Sequence, residues 1–350
     1  MNLPVSHARA SMNARRACSV WVALALTGLV VFVAALALGS VTISPWQVLL
    51  ALVHASSHVV DGGPAGDLAG EIVRSLRLPR ALAGFSCGAL LALAGALLQV
   101  LLRNPLAEPY VLGVSGGAAA FAVAALFAGC AWWFVDVASF SGALLSIALV
   151  LGLARREFWR GERQEASPRL LLTGVVVATG WGAAITLFIA LAPDDRLRGI
   201  VFWLTGDLNG AASPWPALVA LAVALAVAVP VAPQLNVLLR GDALASSLGV
   251  PAAKLRLRIY VVASLAAAAS VTTAGTIGFV GLVVPHALRL VLGNDQRMLV
   301  PASALAGGIA VMGADLAART VIAPAQLPVG VVTALVGVPV FLWMLLGKRR

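Results

Sequence analysis

Apolar runs long enough to cross a lipid bilayer recur along the whole sequence, and this feature limits the possible folds more than any other. Hydrophobic residues make up 61% of the 350-residue chain and charged residues only 11%, whereas soluble domains carry about 25% charged residues. A helix of about 20 apolar residues crosses the hydrocarbon core with all its backbone hydrogen bonds made internally. The sequence therefore predicts an all-α, polytopic membrane protein.

We predict ten transmembrane helices from the positions of these runs. They cover residues 18–39, 79–102, 114–130, 138–154, 169–191, 215–233, 258–275, 277–292, 300–322 and 330–346. Glycines make the boundary between the seventh and eighth helices a weak one. Residues 1–17 are predicted to form a tail, and residues 18–347 a single transmembrane domain. Short helices outside the spans are expected over 44–52, which begins with Ser-Pro, and over 196–206.

The 24 Lys and Arg residues are distributed unevenly over the segments between the spans. With the N-terminus in the cytoplasm, 18 of them fall on the cytoplasmic side, in agreement with the positive-inside rule. Both termini are therefore predicted to be cytoplasmic, and residues 234–257 to form a cytoplasmic loop. The net charge of +10 follows from this bias, so no nucleic-acid partner is predicted. The arginines left on the outer side are Arg74, Arg77, Arg80, Arg196, Arg198 and Arg319.

Three of the outer arginines, Arg77, Arg80 and Arg319, lie at helix ends against the orientation bias. Asp315 precedes Arg319 by four residues, so these two side chains can pair on one helix face. One interpretation is that the arginines extend to the lipid headgroups. The other, which we favour, is that they form an outer surface for an acidic partner.

The cytoplasmic loop contains a polar and basic stretch with a helical pattern. Asp242 is predicted to cap a short helix, on which Leu244 and Leu248 share one face. Gly249 is predicted to end this helix, and Pro251 prevents it from resuming. Such a helix either lies on the lipid surface or presents its apolar face to a protein partner.

Two motifs of common catalytic sites are absent from the sequence. They are the phosphate loop GxxxxGKS/T and HExxH, so the chain is predicted not to be an enzyme and to hold no metal or cofactor. His54 and His58 lie four apart and could share a metal ion, but we interpret them as surface histidines. Carboxylates are scarce within the spans, which argues against the main alternative function, an ion-coupled secondary transporter.

Several distinctive motifs follow one another from about residue 74 to the C-terminus. They are Arg77-Leu78-Pro79-Arg80, Gly95-Ala96-Leu97-Leu98-Gln99, Asn104-Pro105-Leu106-Ala107-Glu108-Pro109, Gly113-Val114-Ser115-Gly116-Gly117, Ser246-Ser247-Leu248-Gly249, Gly278-Phe279-Val280-Gly281-Leu282-Val283-Val284-Pro285-His286, Ala314-Asp315-Leu316-Ala317-Ala318-Arg319 and Leu327-Pro328-Val329-Gly330-Val331-Val332-Thr333-Ala334. With these motifs in this order, the chain resembles the FecCD family of ABC-transporter permeases, which import iron–siderophores, haem and vitamin B12.

The resemblance implies a homodimer of ten-helix subunits in the cell inner membrane. It implies two cytoplasmic ATPase subunits and a periplasmic binding protein as partners. The substrate would be a metal chelate, namely an iron–siderophore, haem or cobalamin, and it would cross by alternating access at the dimer interface. The resemblance implies no cofactor.

The resemblance also assigns roles to individual residues. Docking of the binding protein is expected at Arg77, Arg80 and Arg319. Contact with the ATPase is expected at Gly241, Asp242, Ala243, Leu244, Ala245, Leu248, Gly249 and Val250. A cytoplasmic gate is expected at Ser167 and Pro168, where the proline departs from the family's small hydroxyl residue, and Gln326 departs from an expected Glu. Further family positions are Asn104, Pro105, Pro109, Gly113, Pro285, His286, Asp315, Pro328 and Gly330.

Overall fold

The computed structural model describes residues 14–39, 41–53, 68–154, 168–211, 213–323 and 325–347. The secondary structure within these ranges is helical, with no β-strand. The α-helices are α1 (Ala14–Ala37), α2 (Pro45–Val53), α3 (Leu78–Leu101), α4 (Val114–Phe127), α5 (Trp132–Leu153), α6 (Pro168–Leu191), α7 (Asp194–Leu204), α8 (Trp215–Leu238), α9 (Asp242–Ser247), α10 (Ala252–Ala274), α11 (Val280–Leu292), α12 (Gln296–Thr320) and α13 (Val329–Gly347). A π-helical turn, Ile72–Arg77, leads into α3, and a 3-10 helix, Pro109–Leu112, precedes α4.

Apolar helices match all ten predicted spans. Eight described helices are long and apolar enough to cross a membrane, and α4 and α11 are shorter apolar helices. Among the helices that begin at least four residues earlier than predicted, α10 begins at Ala252 and α12 at Gln296, both with polar residues in the first turns. A hydropathy profile identifies only the apolar part of a helix, which lies in the hydrocarbon core of the bilayer. The polar first turns of these two helices were therefore left out of the predicted spans.

The weak boundary between the seventh and eighth spans is a true break. The residues between α10 and α11 are not helical, and both Gly275 and Phe279 have a positive φ, of 66° and 68°. A Cβ on Gly275 would lie only 2.1 Å from the carbonyl oxygen of Trp203. Glycine at this position therefore allows both the backbone conformation and the close approach of α7.

Both short helices predicted outside the spans are present, as α2 and α7. At the start of α2, the backbone N–H of Gln47 donates to Oγ of Ser44 at 3.3 Å, and the backbone N–H of Ser44 donates to Oε1 of Gln47 at 3.0 Å. This reciprocal pair is a capping box, which explains why the helix begins where it does.

Helix α3 lies at the centre of the bundle. In the most apolar stretch of α3, 89% of the residues are buried. Glycines of α3 contact the neighbouring helices α11 and α12. A Cβ on Gly88 would lie 2.2 Å from the carbonyl oxygen of Gly307 in α12, and a Cβ on Gly95 would lie 1.8 Å from that of Gly281 in α11. Such small residues let helix backbones approach closely in a membrane. The neighbours of α3 are thus packed directly against its backbone.

We expect Gly95→Ala to lower the free energy of unfolding by about 1–3 kcal/mol. The added methyl group would meet the carbonyl oxygen of Gly281, which belongs to the backbone and cannot move aside easily. Gly152→Ala is the matched control, since no atom lies within 4 Å of the added Cβ. Thermal unfolding of both variants in detergent, followed by size-exclusion chromatography, measures the difference. Equal melting temperatures for Gly95→Ala and the parent protein would show that this contact is not tight.

Candidate functional site

Helix α3 separates two groups of charged residues that face opposite ends of the bundle. Arg80 lies in its first turn, and Arg103 follows two residues after its last residue. A helix of 24 residues is about 36 Å long, which is enough to cross the hydrocarbon core. We call the end with Arg80 the arginine end, and the end with Arg103 and α9 the platform end.

The arginine end contains a cavity of about 420 Å³. The three arginines that the sequence singled out, Arg77, Arg80 and Arg319, all line it, together with Asn209 and Gln326. The structure therefore brings the predicted docking residues into one site. None of the sequence motifs includes Asn209, which lies in the connection between α7 and α8, so its place at this site was not predicted.

Every nitrogen of the Arg80 guanidinium has an acceptor in the chain. Nε and Nη2 donate to the carboxylate of Asp315, with the shortest distance at 2.8 Å. Nη1 donates to Oδ1 of Asn209 at 2.9 Å and to Oε1 of Gln326 at 3.0 Å. A glutamate in place of Gln326 would add a negative charge to the cavity. With glutamine present, three arginines and no described carboxylate line the cavity. Behind this lining, Asp315 pairs with Arg80 and Arg319, and Asp207 lies close enough to Arg80 for their charges to interact.

Arg77 and Arg319 hold the C-terminal end of α1. Arg77 donates to the carbonyl oxygens of Leu36 at 2.7 Å and Ala37 at 2.8 Å, and Arg319 donates to that of Ala35 at 2.5 Å. The last carbonyls of a helix lack partners within the helix, and an unsatisfied carbonyl is costly away from water. These two guanidinium groups, which are only 6% and 9% exposed, therefore act as a cap. They do not extend to lipid headgroups.

The predicted pairing of Asp315 with Arg319 is present, with 3.5 Å between Oδ2 and Nε. The same carboxylate also pairs with Arg80 at 2.8 Å. Asp315 is 3% exposed, so this acid sits between two guanidinium groups in a buried position. One carboxylate therefore links the cavity-lining Arg80 to the helix-capping Arg319.

At the platform end, the predicted short helix is present as α9. Leu244 is 40% exposed and Leu248 is 62% exposed, whereas Ala245 is fully buried. Gly241 and Gly249, with φ of 121° and 75°, begin and end this segment. The two leucines thus form an exposed apolar patch on a helix that is held at its base.

The prediction that the side chain of Asp242 caps α9 is wrong. Gly241 is the N-cap residue, and no side chain accepts the free backbone N–H groups. The carboxylate of Asp242 is instead bound by two arginines: Nη2 of Arg103 lies 2.5 Å from Oδ1, and Nη2 of Arg256 donates to Oδ2. Two guanidinium groups outcompete backbone N–H groups for one carboxylate because charge-assisted hydrogen bonds are stronger.

A third group of polar residues fixes the break between α10 and α11. The hydroxyl of Tyr110 donates to the carbonyl of Ile277 and accepts from the N–H of the same residue, both at 2.9 Å. The N–H of Phe279 donates to the carboxylate of Glu108 at 3.0 Å. Burial raises the pKa of Glu108 above its usual range, although this hydrogen bond lowers it. The sequence analysis quoted Glu108 within a motif but assigned it no contact.

With both ends and the central break described, the chain can be compared with known proteins. The sequence model of the family described as the FecCD transport family matches residues 26–347. The chain belongs to the FecCD transport family. It is therefore a transport protein that crosses the membrane several times, and not an enzyme.

Two named FecCD relatives are permeases. The cobalamin import system permease protein BtuC of Halobacterium salinarum is 43% identical over 279 residues, which cover 78% of this chain and 73% of that protein. The vitamin B12 import system permease protein BtuC of Citrobacter koseri is 40% identical over 287 residues, which cover 80% of this chain and 85% of that protein.

A solved structure extends this similarity to three dimensions. It is described as an inward-facing conformation of a metal-chelate type ABC transporter, and it matches with a TM-score of 0.78 at 28% identity. The match covers 95% of this chain and 99% of that chain. Together with the family match, this makes the chain the permease subunit of an ABC importer.

Several FecCD positions identified in the sequence shape the connection before α4. Oδ1 of Asn104 accepts the N–H of Leu106 at 2.9 Å, which forms a tight turn at exposed Pro105. Gly113 has φ of 75° at the start of α4, a conformation that suits glycine. A Cβ on Gly281 would lie 2.7 Å from Cδ of Pro109. These FecCD positions therefore bring the connection against the start of α11.

Four further FecCD positions lie in α11, in α13 or directly before α13. Pro285 and His286 are buried in α11, and the ring of His286 lies 6.2 Å from that of Phe341, centroid to centroid. Pro328 precedes α13. A Cβ on Gly330 would lie 2.0 Å from the carbonyl oxygen of Thr205. These residues set close contacts within the fold.

Three residues singled out in the sequence, Ser167, His54 and His58, lie outside the described residues. Pro168, the other expected gate residue, is the first residue of α6. Within the described part of the chain, no three His, Cys, Asp or Glu residues come together as metal ligands.

Proposed function

We propose that this FecCD permease imports cobalamin across the cell inner membrane by alternating access. The observation that carries the proposal is the placement of two unlike sites at opposite ends of one buried helix: an arginine-lined cavity and an exposed leucine pair. An importer that receives its substrate on one side of the membrane and is driven by an ATPase on the other side needs a different site at each end. The names of the two relatives described above favour cobalamin over iron–siderophores and haem.

The arginine end would face the periplasm and dock a binding protein. In this orientation both termini would lie in the cytoplasm, residues 1–17 would be the tail, and 18–347 would be the transmembrane domain. A carboxylate of the binding protein would enter the cavity and face Arg80, with Arg77 and Arg319 behind it. The unequal balance of arginines and acids in the cavity supports an acidic partner, since charge-assisted pairs fix the orientation of docking.

The platform end would face the cytoplasm and contact a separate ATPase subunit, because the sequence has no phosphate loop of its own. Leu244 and Leu248 would enter an apolar groove of that subunit. The exposed charged residues between 234 and 258 are all basic, namely Arg240, Lys254 and Arg258. A groove with an acidic rim would therefore match this surface. Of the residues expected at this contact, within the loop 234–257, the ATPase would meet Gly241, Ala243, Leu244, Ala245, Leu248, Gly249 and Val250. The carboxylate of Asp242 is instead bound by Arg103 and Arg256 of the permease itself.

The functional unit would be a homodimer with two ATPase subunits, and the pathway would run between the two permease copies. The most exposed apolar helix is α6, with only 6% of its most apolar stretch buried. Because α6 begins at Pro168, a gate at Ser167 and Pro168 would stand at the cytoplasmic mouth of that interface. The pathway needs no tight site, because a substrate held strongly would be released slowly.

The proposed docking site predicts that Arg80→Gln weakens binding of the binding protein by about tenfold or more, or ~1.4 kcal/mol. Arg80 is the appropriate position because Arg77 and Arg319 also cap α1, so their loss would disturb the fold. Arg198→Gln is the control, since this arginine is exposed in α7 and does not line the cavity. Affinity is measured by surface plasmon resonance at two salt concentrations. Parent-like affinity and salt dependence for Arg80→Gln would refute docking at this cavity.

The proposed substrate is tested with the permease, its ATPase subunit and its binding protein in proteoliposomes. We expect ATP-dependent accumulation of cyanocobalamin and no comparable uptake of a ferric siderophore or haemin. An uncoupler that dissipates the proton gradient should leave the uptake rate unchanged. Uptake that needs no ATP and stops with the uncoupler would instead support the ion-coupled alternative, and uptake of haemin or the siderophore alone would refute cobalamin.

A further inference from the structure

The carboxylate of Asp242 joins three parts of the bundle at one point. Arg103, which binds Oδ1, follows the central helix α3, and Arg256, which binds Oδ2, lies in α10. The same Nη2 of Arg103 also donates to the carbonyl of Leu238, the last residue of α8, at 3.1 Å. The first residue of α9 is thus connected to α3, α8 and α10 through polar contacts.

The backbone of Arg103 adopts an unusual conformation next to this contact. Its φ is 46°, a left-handed value that costs free energy in a residue with a side chain. The side chains of Arg103, Asp242 and Arg256 are 24%, 27% and 16% exposed. Partly exposed ion pairs add little stability, so stability alone is a weak reason for keeping this strained arrangement.

Helix α9 has few other connections to the bundle. Ala245 is its one buried residue. Glycines flank the segment at 241 and 249, and no atom lies within 4 Å of a Cβ built on either. The segment can therefore move at both ends, and the polar contacts of Asp242 tie its first turn to the helices.

We propose that Asp242 is a positioning residue that transmits movement of α9 to α3 and α10. The inference rests on the proposed contact between α9 and the ATPase subunit. The ATPase would push on Leu244 and Leu248, and the carboxylate would carry the displacement to both arginines. Because α3 packs against α11 and α12 through glycine contacts, a displacement of its platform end moves these helices with it.

The test uses Asp242→Asn, which keeps the size of the side chain but removes its charge. The full complex in proteoliposomes should still bind the ATPase subunit and hydrolyse ATP. The amount of cyanocobalamin imported per ATP should fall at least about fivefold, because the two sites become uncoupled. Asp242→Glu, which restores the charge, should recover most of the loss. Asp295→Asn is the control, since this exposed carboxylate at the same end can be replaced by another N-cap residue.

A second set of variants tests the connection itself. Arg103→Gln and Arg256→Gln should each lower the import per ATP, and combining either with Asp242→Asn should cause no further loss, since all three act through one contact. An unchanged ratio of cyanocobalamin to ATP in Asp242→Asn would overturn the inference. Loss of the ATPase subunit from this variant would also overturn it, because Asp242 would then belong to the binding surface.

A separate pair of variants tests the proposed ATPase contact, so that failure of the contact can be distinguished from failure of the role of Asp242. Leu244→Asp combined with Leu248→Asp should release the ATPase subunit during co-purification, whereas Leu244→Met with Leu248→Met should retain it. Retention by the double Asp variant would refute the contact, and with it the basis of the inference. Release by that variant together with an unchanged import ratio in Asp242→Asn would refute the role of Asp242 alone.

Discussion

The direct backbone contact of α3 with α11 and α12 is the constraint on which the rest of the structure depends. Gly88 meets Gly307 and Gly95 meets Gly281 at distances that leave no room for a side chain. In lipid, helices associate through such packing because the hydrophobic effect no longer drives them together. The contact fixes α3 along most of its length. It therefore fixes the positions of Arg80 and Arg103, which stand at its two ends.

The charged groups at the arginine end serve the fold as well as the proposed docking. Buried arginines within a membrane protein are costly unless each donor finds an acceptor. Arg77 and Arg319 meet part of this requirement by capping α1. Nε of Arg319 makes no hydrogen bond but lies 3.5 Å from the carboxylate of Asp315, which neutralises part of the charge of Arg319. Arg80 is then left to line the cavity with acceptors on every nitrogen. An incoming carboxylate would therefore compete with Asp315, Asn209 and Gln326 rather than meet an unpaired cation.

The structural features that depend on residues close together in the chain could be predicted from the sequence. The ten apolar helices, the start of α2 and the exposed leucines of α9 follow from local patterns, and the structure contains them. The partners of Asp242 could not be read in this way, because Arg103 lies 139 residues away in the chain. The capping of α1 by Arg319 spans 284 residues. A local sequence pattern shows that a charged residue stands at an unusual position. The group that binds it is determined by tertiary packing, which brings distant residues together.

If α9 transmits its movement to α3 as we propose, α3 must move as one rigid unit to connect the platform end with the arginine end. Hydrogen–deuterium exchange of the reconstituted complex, with and without the binding protein, tests it most directly. We predict that backbone amides of residues 78–101 remain strongly protected in both states, while protection of residues 242–247 changes when the binding protein docks. Increased exchange within α3 on docking, or an unchanged platform, would contradict the claim.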